Sequence, residues 1–159
     1  MIELSLVGVR VELPSNQPIV LLKEVNGERY LPIWIGAVEA TAIAFALQGI
    51  QTPRPMTHDL LRDILRGNEI DVDSVVISDL VDSTFFATIK MRTNGRPNEI
   101  SSRPSDAIAL AVRIDAPIFA AEEVLEQAGI ELKDEEETEV EKFREFLDQV
   151  TPEDFATET

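Results

Sequence analysis

The chain contains no cysteine, which excludes disulfides, thiolate metal sites and cysteine nucleophiles together. It has one histidine in 159 residues, so no mechanism that draws two histidines from one chain applies. Bases are scarce too: 14 Lys and Arg stand against 30 Asp and Glu, a formal charge of -16. That is the wrong sign for a protein that holds nucleic acid by neutralising phosphates over a broad surface. Any such work must rest on bound cations or a local arginine cluster. Long apolar runs are also missing. The longest, Ala40 to Leu47, falls far short of the roughly 20 residues of a membrane-spanning helix. The N-terminus alternates polar and apolar residues from Met1-Ile2-Glu3-Leu4 and so lacks the regions of a signal peptide. These absences predict a cytoplasmic protein with no membrane segment.

What is present fits one domain, residues 1–130, followed by an acidic tail, 131–159. From Glu131 to Thr159 there are 12 acids against 3 bases. The domain is acidic as well, so a uniform basic face is not hidden behind the tail.

Ile2, Leu4 and Leu6 alternate with polar residues, and Val7, Val9 and Val11 continue on the opposite phase beside Gly8. This predicts a long strand carrying a bulge. Two β-rich runs, 18–25 and 29–35, are joined through Asn26-Gly27, a dipeptide that favours a type I′ hairpin turn. Ala37 to Gln48 reads as a helix buried on most sides, with Gly49 ending it. A second helix runs from Thr57, the expected N-cap, to Arg66. Strands are then expected over 72–80, 84–92 and 98–102, with a turn at Asn94-Gly95, before a helix over 104–113 that opens on proline.

The plan therefore recurs. Glu39-Ala40-Thr41-Ala42-Ile43-Ala44 aligns with Asp106-Ala107-Ile108-Ala109-Leu110-Ala111 at an offset of 67, and the two Asn-Gly pairs are offset by 68. The expected fold is α+β, a single domain from a duplicated β-β-β-α unit with mixed or antiparallel sheets, completed by a short strand at 118–120, a helix at 122–128 and short C-terminal helices. In the tail, Val140, Phe143, Phe146, Leu147 and Val150 share one helical face, suited to the domain itself, a sister subunit or a protein partner.

The alignment puts Glu39 and Asp106 at the third position of two helices. Such acids either stabilise free backbone amides and the helix dipole or form a pair suited to metal coordination or proton transfer. His58 sits at a helix start, as a neutral base, a metal ligand or a capping-region residue. Asp59 with Arg62, and Asp63 with Arg66, have the spacing of surface pairs. Arg54 and Arg103 each precede proline, which favours extended backbone and a fixed guanidinium fork suited to phosphate or carboxylate. Ser102 and Ser105 flank Arg103-Pro104, placed to cap the helix, cradle an anion, or both.

Three blocks, Leu31-Pro32-Ile33-Trp34-Ile35-Gly36 with Glu39-Ala40, Arg54-Pro55 with Thr57-His58-Asp59-Leu60, and Ser102-Arg103-Pro104-Ser105-Asp106-Ala107, resemble the signature blocks of the bifunctional nuclease family. The resemblance spans most of residues 1–130. It implies cleavage of DNA and RNA, with Glu39, Asp59 and Asp106 as candidate Mg²⁺ or Mn²⁺ ligands. His58 would be the general base, and Arg54 and Arg103, with Ser102 and Ser105, the substrate contacts. The C-terminal UvrB/UvrC-type motif carried by some relatives is replaced here by the acidic tail. The competing expectation is a non-enzymatic regulatory or scaffold module that binds a protein or a small anionic ligand. Under either, uncovered strand edges and apolar faces predict a homodimer or higher homo-oligomer.

Overall fold

The computed structural model describes residues 1–12 and 16–131. The apolar stripe of the tail and the helix start expected after it lie outside the described residues. The elements run β1 (Ile2–Glu12), β2 (Gln17–Glu24), β3 (Arg29–Trp34), α1 (Ala37–Leu47), α2 (Thr57–Gly67), β4 (Ile70–Val81), β5 (Thr84–Thr93), β6 (Arg96–Ser102), α3 (Pro104–Ile114), β7 (Ile118–Ala120), α4 (Glu122–Ala128) and β8 (Ile130–Glu131).

All eight strands form one sheet in the order β6-β5-β4-β7-β1-β2-β3-β8. Two antiparallel meanders, β1-β2-β3 and β4-β5-β6, flank β7, which pairs parallel to β4 and antiparallel to β1. The sheet is therefore mixed, and each meander leads into a helix, so the β-β-β-α plan recurs. Strand β1 carries its irregularity between Leu6 and Gly8, where the phase of the apolar alternation changes. On β5, Ala87, Ile89 and Met91 are buried while Lys90 and Arg92 face out, the period-two pattern of a half-buried strand.

The hairpin at Asn26-Gly27 forms, but not through a type I′ turn. Positive φ at consecutive turn residues occurs instead at Asn94 and Gly95 (53° and 75°), and at Asp82 and Ser83 (50° and 63°), each a two-residue link. At the first hairpin the Glu24 carboxylate lies against Gly27, where a Cβ would come within 2.7 Å. Glu24 accepts the Arg29 backbone N–H at 3.0 Å and its Nε–H at 2.7 Å. A charged clasp, extended by Arg29 to Glu122 of α4 at 2.9 Å, closes this loop where turn chemistry closes the other two.

Helix α1 packs on α3, and α2 packs on α3 and β4. Seven residues of α3 are buried, whereas α1 buries only Ala40, Ile43 and Ala44. The expectation that α1 is buried on most sides is thus corrected: α3 holds the middle of the helical layer and α1 its flank. Helix α2 begins at Thr57, the residue expected to cap it, and Met56 takes the N-cap place. Its outer face exposes Met56, Leu60 and Ile64, and every residue of β6 except Ser102 is exposed. These are the apolar face and bare strand edge from which an oligomer was expected.

The sheet curls. A flat sheet would hold β3 and β5 about 24 Å apart, five strand spacings, yet Trp34 at the end of β3 and Phe85 near the start of β5 line one cleft. This curvature brings the start of α3 beside the start of α1.

Candidate functional site

Each of the three longer helices carries an acid in its first turn, at the third helical position: Glu39 in α1, Asp59 in α2 and Asp106 in α3. An acid there meets the positive end of the helix dipole, typically a stabilisation of about 0.3–1 kcal/mol. The residues that precede the helices differ. Gly36 before α1 leaves room for the Glu39 carboxylate, since a Cβ would lie 2.2 Å from Glu39 Oε2. Met56 before α2 donates its backbone N–H to Asp59 Oδ2 at 3.0 Å. Arg103 before α3 is extended (φ -67°, ψ 144°), as proline after it requires, and this directs its side chain back over the helix start.

One guanidinium then serves two helices. Arg103 donates through Nε to Asp106 Oδ2 (2.8 Å), through one terminal nitrogen to Asp106 Oδ1 (3.1 Å) and through the other to Glu39 Oε1 (3.0 Å). His58, 8% exposed, places Nε2 2.9 Å from Asp106 Oδ1. Burial pushes the Asp106 carboxyl up, but hydrogen bonds from Arg103 and His58 and the Arg103 charge outweigh it, so its pKa falls below the ordinary carboxylate value. An ionised carboxylate only accepts, so Nε2 carries the proton of this bond and Nδ1 is the imidazole's remaining basic nitrogen. Arg103 is held in its charged form by Asp106 and then Glu39, yet its side chain remains 64% exposed.

Asp59 goes elsewhere. Its Oδ1 accepts Arg113 Nε at 2.7 Å, and Arg113, only 6% exposed, also donates to the carbonyls of Ala109 (2.8 Å) and Ala42 (2.9 Å). Arg113 thus ties α2, α3 and α1 together. Burial again raises the Asp59 carboxyl and is outweighed by Arg113, the Met56 N–H and Arg62, so its net pKa is lowered. Of the expected surface pairs, Asp59 with Arg62 is present at 3.9 Å, and Asp63 is bonded by Arg62 at 3.1 Å.

The structure therefore gathers Glu39, His58, Arg103 and Asp106, and does not bring Asp59 to them. Arg54 sits exposed in the loop before α2, outside this hydrogen-bonded group. Ser102 donates its hydroxyl to the Arg103 carbonyl at 2.8 Å, and no side chain caps α3, so the capping role expected of the serines is not taken up. Ser105 is buried and lines a cleft of about 360 Å³ with Trp34, Gly36, Phe85 and Arg103. Sequence reasoning missed Arg113 and Trp34. The signal for Arg113 was the lone base of α3, following the apolar run from Ala107 to Val112; for Trp34 it was strand alternation, which turns Trp34 outward between buried Ile33 and Ile35.

As arranged, these residues do not fit a Mg²⁺ or Mn²⁺ centre. The Arg103 guanidinium bridges the two carboxylates a cation would have to share, Asp59 is engaged by Arg113, and among the described residues no three His, Asp or Glu side chains are grouped to hold a metal. What the group offers is a charged fork at a cleft, backed by two acids and an oriented imidazole.

Arg103 thus stands between two acids at the paired helix starts of a curled α+β domain. Residues 20–133 match the family model of the bifunctional nuclease domain, and the chain belongs to that family. An uncharacterised protein of Mycobacterium tuberculosis is 49% identical over 96% of this chain and 97% of its own length. Bifunctional nuclease 2 of Arabidopsis thaliana is 30% identical over 67% of this chain, and bifunctional nuclease 1 of Oryza sativa subsp. indica is 25% identical over 74%. The matched regions cover 34% and 36% of those plant proteins. Among the described residues no helix is long and apolar enough to cross a membrane.

Proposed function

We propose that this chain is a nuclease that hydrolyses phosphodiester bonds in DNA or RNA, with Glu39, His58, Arg103 and Asp106 as its active centre. The observation that carries this reading is Arg103, an exposed guanidinium at a cleft whose partner Asp106 also holds the only histidine. Family membership and the names of the plant relatives support it. A forked guanidinium matches two oxygens of a phosphodiester, so substrate competes with Asp106 and Glu39 for the same donors. Asp106 keeps His58 oriented, as a carboxylate orients a histidine base, and Nδ1 takes the proton of the attacking water. Glu39 positions Arg103. Glu39 and Asp106 would hold Mg²⁺ or Mn²⁺ together only with Arg103 moved from its place between them.

The test is hydrolysis of single-stranded DNA, duplex DNA and RNA by the purified chain, in Mg²⁺, in Mn²⁺ and in EDTA. Arg103→Ala and His58→Ala should each lose on the order of 10²-fold or more. Undiminished cleavage by both variants sinks the assignment, and cleavage only with added cation shows that the reaction depends on a metal. The acidic surface and the pairing of Arg103 within the protein favour a second reading, a non-enzymatic module that binds a protein or small anion. No cleavage under any condition would select it.

A further inference from the structure

We propose that the cleft beside Arg103 takes one unpaired nucleobase, stacked on Trp34, so that the protein selects single-stranded over duplex nucleic acid; this rests on the nuclease reading for the class of polymer bound. Trp34 ends β3 and is 50% exposed, while its neighbours Ile33 and Ile35 are 2% and 8% exposed. Strand alternation anchors both neighbours in the core and holds the indole out into the cleft. Phe85, the buried Ser105 and Arg103 line the same cleft. A volume of about 360 Å³ lies at the small end of ligand pockets, roughly 300–1,000 Å³. That suits one flat ring and not the groove that a double helix needs.

In a duplex both faces of each base are covered by stacked neighbours, so only an unpaired base can offer a face to the indole. Arg103 belongs both to the cleft and to the carboxylate–histidine group, which sets the stacked base next to the phosphate to be cleaved. The acidic composition points the same way: affinity comes from stacking and one local phosphate contact. Binding should therefore depend weakly on salt, with a log–log slope near that of a single released counterion, about -0.7 for single strands.

Trp34 is the only tryptophan in the chain, so its emission reports on the cleft without a label. The full chain is titrated with a short single-stranded oligonucleotide, in DNA and RNA forms, with the same strand annealed to its complement, and with an abasic strand of equal length. Saturable quenching is expected from the single strands, with at least about tenfold weaker response to duplex and none to the abasic strand. Measured by anisotropy of a labelled strand, Trp34→Ala should weaken binding on the order of tenfold to a hundredfold, and Trp34→Phe should recover most of it. No quenching by either single strand, an equal response to the abasic strand or the duplex, or unchanged binding by Trp34→Ala overturns the proposal. Cleavage without a Trp34 response sinks this inference and leaves the nuclease reading standing; a base-dependent Trp34 response without cleavage does the reverse.

Discussion

The two β-β-β-α halves share strand order, turn positions and an acid at the third residue of the closing helix, yet they are packed differently. In α3, Ile108 is fully buried; its counterpart in α1 is Thr41, whose hydroxyl donates to the Ala37 carbonyl at 3.0 Å. Ser105 is buried, while its counterpart Val38 is 75% exposed. Helix α2 follows only the first half but packs on the helix of the second, and this makes α3 central. The difference extends to the residues preceding the helices. Gly36 yields space to Glu39, and Arg103 fills space by reaching both acids. Two similar junctions thus combine into one asymmetric site, where one half contributes an acid and the other contributes an acid, the guanidinium and the contact with His58.

Breaking this comparison in the core should give the largest effect. Ile108→Ala is expected to cost about 2–5 kcal/mol, whereas Thr41→Ala at the aligned position should stay within about 0.5 kcal/mol; urea unfolding of both variants measures the contrast, and equal losses would refute the central place of α3. Next comes the link between the helices. Arg113→Ala leaves Asp59 without its main partner and should cost about 3 kcal/mol, which thermal melting would read as a fall in Tm of about 6–12 °C for a domain of this size. A smaller effect sharpens the contrast between the two junctions. Gly36→Ala forces the Glu39 carboxylate aside, costing about 1 kcal/mol or less because a flexible side chain gives way, but it should lower the cleavage rate by loosening Arg103. The smallest effect is the pH dependence. Asp59 and Asp106 both have carboxyl pKa values lowered from 3.8, so their stabilisation is present above that value and fades as pH falls through the depressed native values. Asp59→Asn should flatten the acid limb of the stability curve below about pH 4.

Most of the fold was legible because its signals are local. Alternation located the strands, the phase change at Gly8 located a bulge, and Pro104 located the start of α3. The first hairpin was legible in place but not in kind: Asn26-Gly27 permits a type I′ turn, and a charged clasp formed from Glu24, Arg29 and Glu122 overrides it. The Glu122 partner lies 93 residues from Arg29, beyond any local pattern. The same limit governs the site. Equivalent positions of Glu39 and Asp106 could be read from the repeat, and that Arg103 joins them follows from a sheet curvature that no short segment encodes. Asp59 entered the set through the signature block it shares with His58. On a helix, adjacent residues point about 100° apart, so His58 turns to Asp106 while Asp59 turns to Arg113.

That divergence allows the most direct test. Hydrolysis rates of a single-stranded oligonucleotide should be compared for Asp106→Asn and Asp59→Asn, at a temperature where circular dichroism shows both folded. The predicted result is a loss on the order of 10²-fold or more for Asp106→Asn and a rate near that of the unaltered protein for Asp59→Asn. Equal losses in the two, or an unimpaired Asp106→Asn, would contradict an active centre built on Asp106, His58 and Arg103.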